Sequence, residues 1–208
     1  MMKKKMIPLV SVLFLSLLLA VGCFGGKPLQ SVSAKGEVYT MQLELPLALG
    51  SQPKEIPLNP QLKEFLRKGQ SYMERPTGED IHMVEVVANT MNTGEIEKKY
   101  GDLSGEKAQK FYGDMGKALT DSYIQSLSKA AKMTNVTTNP METEIDGHKA
   151  IVTTVNCKMR GEAEVMKVVY LYDKEESWLL AIAYPKEKED GIGKQLEEKI
   201  IPGIKLVR

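Results

Sequence analysis

Trp178-Leu179-Leu180-Ala181-Ile182-Ala183-Tyr184 reads as a strand with no polar face. An antiparallel strand wetted on one side alternates apolar with polar residues; this one does not. The strand before it behaves the same way, with Val165, Val169 and Leu171 on one face and Met166, Val168, Tyr170 and Tyr172 on the other. Each such side chain contributes about 1.5–3 kcal/mol when buried. Leaving either face wet would forfeit several of these contributions, so the sheet is expected to be covered on both sides.

The two strands belong to a four-strand antiparallel meander over 136–145, 148–159, 162–173 and 177–184. Asp146-Gly147 and Arg160-Gly161 fit tight two-residue hairpin turns, and Asp173 to Ser177 is a charged loop. The covers come from helical patterns. Ala108, Phe111, Met115, Leu119, Tyr123, Leu127 and Ala130 recur every three or four residues, predicting an amphipathic helix over 106–133 with Ser104 as its cap. Gly113 and Gly116 weaken that helix by about 1 kcal/mol each relative to alanine, which marks a close packing contact or a bend. A closing helix is predicted over 188–201, with Ile192, Leu196 and Ile200 on one side, then a short strand over 204–207. Asn59-Pro60 opens a third, over 60–69, with Leu62, Phe65 and Leu66 apolar and Gly69 at its end. Strands are expected at 38–45 and 81–88, with a shorter one at Tyr72 and Met73. The fold class is α+β: a three-layer α/β/α sandwich around a mainly antiparallel sheet. A cystatin- or NTF2-like cone, one long helix on a curved sheet, is the alternative.

The order of elements, with Tyr184-Pro185 preceding the last helix, resembles the PsbP-like fold and bacterial DcrB-type envelope lipoproteins. The resemblance spans residues 37–207. It implies a non-catalytic binding or assembly protein.

The start of the chain supplies a location. Lys3, Lys4 and Lys5 precede an apolar run from Ile7 to Val21, which ends in Ala20-Val21-Gly22-Cys23. A charged start, a short apolar core and small residues mark a secretory leader. The run is about 15 residues, short for a permanent span of roughly 20. The small residues leading into Cys23 resemble the lipobox of bacterial lipoproteins, which implies lipidation of that thiol and cleavage before it. Two or more acyl chains hold a protein stably on a membrane where one does not. The alternative is ordinary cleavage, with Val32-Ser33-Ala34 as the site. Phe24 stands where an inner-membrane retention aspartate often does. Residues 1–22 are thus read as signal peptide, 23–36 as lipidated cysteine and flexible tether (Gly25, Gly26, Pro28, Ser31, Ser33), and 37–208 as a single domain.

Of 28 Lys and Arg, three lie in the leader, which holds none of the 27 Asp and Glu, so the mature chain is slightly acidic. No basic run remains, which argues against a nucleic-acid partner and against an electrostatic membrane patch. About 170 residues suffice for one domain with a real core.

Chemical motifs are few. Cys157 alternates with Ile151, Val155 and Met159 on one strand face and reads as a buried small hydrophobe. His82 and His148 show no metal-type spacing and read as surface or structural. Met115, Met133, Met159 and Met166 sit at core positions. Neither a metal site nor a cofactor is expected, and no catalytic residue is assigned. The longest irregular segment, 89–105, is polar and reads mostly as loop. Asn92, Glu95, Lys98, Lys99 and Tyr100 there are the candidate partner-binding residues, because long loops in compact domains are often functional. The expected function is a lipid-anchored, non-enzymatic protein on the extracytoplasmic side of the cell envelope that binds a protein partner or supports assembly. A small-molecule or lipid binding module, with a pocket between sheet and helix, is the alternative; a hydrolytic enzyme ranks third.

Overall fold

The computed structural model of the 208-residue chain describes residues 28–50, 52–58, 62–76 and 80–208. Cys23 and the leader lie outside the described residues. The elements run β1 (Gln30–Lys35), β2 (Thr40–Leu45), β3 (Lys54–Glu55), β4 (Leu66–Glu74), β5 (Met83–Met91), α1 (Thr93–Tyr100), α2 (Gly105–Ala130), β6 (Thr134–Ile145), β7 (His148–Met159), β8 (Glu162–Tyr172), β9 (Glu176–Pro185) and β10 (Lys205–Val207). Between β9 and β10 lie a 3-10 turn (Lys186–Lys188) and two π-type turns (Glu189–Gly193, Leu196–Ile200).

The meander forms as its pattern predicts. Asp146-Gly147 and Arg160-Gly161 turn with positive φ at all four residues, the geometry of a twisted two-residue hairpin. The chain's earlier strands extend it to seven, ordered β3-β4-β5-β9-β8-β7-β6; β1, β2 and β10 make a second, three-stranded sheet. Every pairing among the described residues is antiparallel.

The central strands β5, β9 and β8 are covered on both faces over most of their length, with β9 buried from Glu176 to Tyr184, while edge strand β6 is exposed. On one face α2 lays Ile124, Leu119, Tyr123 and Leu127 over Val155, Val168, Tyr170 and Ala181. On the other, Val86, Val169, Trp178 and Leu180 meet Leu196 and Ile200 of the C-terminal turns and Met41 and Leu43 of the small sheet. That outer layer is therefore part helix, part strand. Buried Lys167 fastens it: its ammonium donates to Glu197 Oε1 (2.5 Å) and Thr154 Oγ1 (2.9 Å).

Four local expectations are corrected. The expected helix is absent from 62–69, where Leu62 to Phe65 turn and Leu66 starts β4; its expected start at Asn59-Pro60 lies outside the described residues. Leu62, Phe65 and Leu66 do pack inward, but against the aromatic cluster near α1. Gly69, rather than closing a helix, lies within β4, where a Cβ would stand 3.2 Å from Asn89 Oδ1 and 3.3 Å from Leu58 Cδ2. The expected tether is strand over Gln30–Lys35, with Ala34 wholly buried; its serines and glycine-rich approach hide a strand that has one inward anchor. The loop expected over 89–105 holds the end of β5 and all of α1, a helix whose single buried residue, Ile96, leaves no periodicity to read. Ser104 occupies the N-cap position of α2, but its side chain makes no capping hydrogen bond.

Candidate ligand-binding cleft

Helix α2 ends before the sheet does. Its last turn closes at Ala130, and Lys132 at φ 52° swings the chain into β6. Beyond that point the β7–β8 hairpin runs on to Arg160-Gly161. Register puts Cys157 opposite Glu164 and Val155 opposite Met166; Met166 faces Ala183 of β9, and Ala183 faces Met83 of β5. Helix end and uncovered sheet enclose a cleft of about 880 Å³, with Leu127, Ala130 and Met133 on the helix side and Met83, Cys157, Met166 and Ala183 on the sheet side.

One pair of polar groups stands on this apolar floor. His82 donates its backbone N–H to Ala183 O (2.9 Å), which fixes the ring at the mouth of β5. Its Nδ1 lies 2.8 Å from Glu164 Oε1. Glu164 is only 3% exposed, and its Oε2 is buried with no hydrogen-bond partner among the described residues. Burial pushes the Glu164 carboxyl above the usual range, partly offset by His82. Burial, with the Glu164 charge behind it, also pushes the Cys157 thiol up. A nucleophilic cysteine needs the opposite shift. Among the described residues no three His, Cys, Asp or Glu side chains are grouped to hold a metal ion.

The rim is basic. Arg75, Lys132, Lys158 and Arg160 line it with one exposed acid, Glu162, and none of the four cations forms an ion pair among the described residues. Two of them occupy backbone positions that disfavour them. Lys132 follows the α2 C-cap in a Schellman arrangement, with Met133 N–H on Ser128 O (2.8 Å) and Lys132 N–H on Lys129 O (3.4 Å), a position where glycine is usual. Arg160 opens its hairpin turn at φ 56°, where asparagine, aspartate or glycine is usual, and Asp146 fills the same place in the preceding hairpin. Left-handed backbone costs a long side chain about 1–2 kcal/mol. Lys132→Gly and Arg160→Asn are therefore each expected to stabilise the fold by about 0.5–1 kcal/mol in urea unfolding. A loss of stability in both would remove the reading that these cations are held there against the backbone's preference.

The residues singled out in the 92–100 segment lie toward the other end of α2. Tyr100 packs 4.9 Å from Phe111 and 6.2 Å from Phe65, ring centre to ring centre. Lys99 sits 5.2 Å over the Tyr100 ring and pairs with Glu64. With Leu62, Met115 and Leu119 these aromatics border an apolar groove of about 290 Å³. Glu95 and Lys98 pair with each other at 3.9 Å on the exposed side of α1, and the Asn92 amide donates to Lys63 O at 3.4 Å. Of the five only Tyr100 lines the groove, and none lines the cleft. Cys23, the expected lipidation site, lies outside the described residues.

No family model matches this chain, and no curated protein does. Among solved structures it is similar to LpqN of Mycobacterium tuberculosis, involved in cell envelope biogenesis, at 8% identity over 86% of this chain and 92% of that one, with a TM-score of 0.39. It is also similar to PA94 of Pseudomonas aeruginosa, a protein of unknown function, at 11% identity over 83% of this chain and 97% of that one, TM-score 0.35. Likenesses at this level carry no argument about role.

Proposed function

We propose that this chain is a non-catalytic binding module of the cell envelope, held to a membrane through lipid on Cys23, whose cleft takes an anionic amphiphile. The observation that carries the reading is the cleft itself: about 880 Å³, floored by Met, Leu and Ala side chains and rimmed by four cations that form no ion pair among the described residues. Such sites are mostly apolar with a few placed polar groups. The raised Cys157 thiol supports a binding rather than a catalytic role, as does the resemblance of the sequence to PsbP-like proteins. The Ala20-Val21-Gly22-Cys23 sequence supports the anchor. Among the described residues no helix is long and apolar enough to cross a membrane. Protein-partner binding is a second reading, favoured by the groove beside Tyr100, whose ring is 42% exposed.

The test is octanoate binding, followed by ligand-observed NMR on the full chain in lipid nanodiscs with empty nanodiscs subtracted. Reversing two rim charges with Lys158→Glu and Arg160→Glu is expected to weaken octanoate by about tenfold, the scale of one partly screened charge contact. The urea midpoint should stay near that of the parent. No octanoate binding, or binding indifferent to the two reversals, would sink the cleft reading.

A further inference from the structure

Glu164 carries a feature that a purely structural carboxylate would not retain. Buried polar atoms in folded proteins are almost always hydrogen-bonded. The other well-buried carboxylates of the large sheet obey this on both oxygens. Glu85 takes Ser71 Oγ on one oxygen (2.6 Å) and the Tyr123 hydroxyl on the other (2.8 Å). Glu176 takes the Glu37 and Tyr39 backbone N–H groups, one on each oxygen. Glu164 alone of the three has one oxygen held, by His82, and one buried without a partner among the described residues, and it alone of the three lines the cleft.

We propose that Glu164 is a ligand-recognition residue: its Oε2 accepts a hydrogen bond from a donor at the inner end of the bound amphiphile. The inference rests on the cleft reading above and names its ligand class. The molecule is an aliphatic chain with a hydroxyl or ammonium at one end and an anion at the other. The apolar body lies on Met83, Met166, Ala183 and Leu127. The anion rests on the basic rim, where Lys132, Lys158 and Arg160 stand. A plain aliphatic acid fits the same walls but leaves Oε2 buried and unpaired. A site built to hydrogen-bond a substrate group discriminates strongly against the analogue lacking it, whereas apolar walls alone discriminate weakly. His82 contributes by occupying Oε1, which leaves Oε2 as the carboxylate oxygen still open to a donor.

Three probes separate the possibilities: octanoate, 8-hydroxyoctanoate and 8-aminooctanoate, measured by ligand-observed NMR on the full chain in nanodiscs. The parent protein is expected to prefer one or both ω-substituted acids over octanoate by about tenfold. A preference confined to 8-hydroxyoctanoate assigns a hydroxyl donor, and one confined to 8-aminooctanoate an ammonium. Glu164→Met, which keeps volume and removes the acceptor, is expected to abolish or invert the preference while octanoate still binds, which reports an intact cleft. Octanoate binding that depends on the rim charges, with no ω-preference in the parent, would overturn the role of Glu164 and leave the cleft reading standing. An ω-preference that survives Glu164→Met would overturn it equally, and Glu164→Ala checks that result against a packing effect peculiar to methionine.

Discussion

Glu176→Ala is expected to destabilise the fold by about 3–5 kcal/mol, read from the urea midpoint, and to detach the first hairpin before the rest unfolds. Glu176 is wholly buried at the start of β9. Its Oε1 accepts the Glu37 N–H at 2.8 Å and its Oε2 the Tyr39 N–H at 2.9 Å. Gly36 completes the cradle, since a Cβ there would overlap the carboxylate. Truncation strands the buried Tyr39 N–H and the half-buried Glu37 N–H, at about 1–3 kcal/mol for a buried group, and opens a cavity besides. The loop it holds joins β1 to β2. The Tyr72 hydroxyl also holds Lys35 at the end of β1, accepting from its N–H (3.0 Å) and donating to its O (2.9 Å), but the contacts beyond it are exposed: Gln70 Nε2 on Lys35 O (2.7 Å), Arg67 with Glu37 (2.6 Å) and Lys68 with Glu37 (3.2 Å). Surface pairs of that kind contribute about 0–1 kcal/mol and cannot replace the carboxylate. Glu175→Ala is the control. Glu175 is half-buried, with a side chain that reaches solvent and pairs with Arg208, so its loss should stay within about 1 kcal/mol. Hydrogen exchange should show β1 and β2 losing protection first in Glu176→Ala. Equal small effects from both variants would remove Glu176 from this role. The consequence for the proposed anchor is direct, because β1 is the described strand nearest Cys23. Glu176 then fixes to the core the segment that any tether to a membrane would pull.

The meander was legible because its information is local. Two turns with a glycine at the second place set the register, and a two-residue turn at Arg160-Gly161 already requires Cys157 to face Glu164 across the hairpin. Half of the cleft's chemistry was therefore readable: a carboxylate on the same strand face as Met166, Val168 and Tyr170 is out of pattern. The other half was not. His82 reaches Glu164 only because β5 pairs with β9, and that pairing joins Met83 to Ala183, a hundred residues further along the chain, with no turn to fix it. The cleft also depends on where α2 stops relative to the strands beneath it, a tertiary offset that periodicity does not encode. Glu176 was hidden for a similar reason, because a charged loop between strands gives no sign that one of its acids turns inward to meet a distant backbone. Short elements failed differently. The strand over Gln30–Lys35 and the helix over Thr93–Tyr100 each bury one residue, Ala34 and Ile96, and a single anchor has no period.

Gly113 and Gly116 show the same limit at the scale of one methyl group, and their alanine variants should move stability in opposite directions. Both weaken α2 by their intrinsic propensity, about 1 kcal/mol each. At Gly116, buried under the middle of the helix, a Cβ would overlap the Tyr170 ring, with Ile151 Cδ1 only 3.4 Å away. Tyr170 is fully buried on β8 between the sheet and α2, so the ring has nowhere to retreat. Overpacking of this kind costs about 1–3 kcal/mol or more, which exceeds the propensity gain, and Gly116→Ala is expected to destabilise by about 2 kcal/mol. At Gly113 the nearest neighbour to a new Cβ is the Tyr172 hydroxyl at 3.6 Å, an ordinary contact. Nothing there opposes the propensity term, and Gly113→Ala is expected to stabilise by about 0.5–1 kcal/mol. Urea unfolding of the two variants checks both signs. If Gly116→Ala were neutral or stabilising, α2 could not lie as close to the sheet as the Tyr170 contact requires. The cleft beyond its last turn would then lose the wall that Leu127 and Ala130 provide. The packing of one glycine against one ring thus sets the height of the helix over the sheet, and with it the depth of the site.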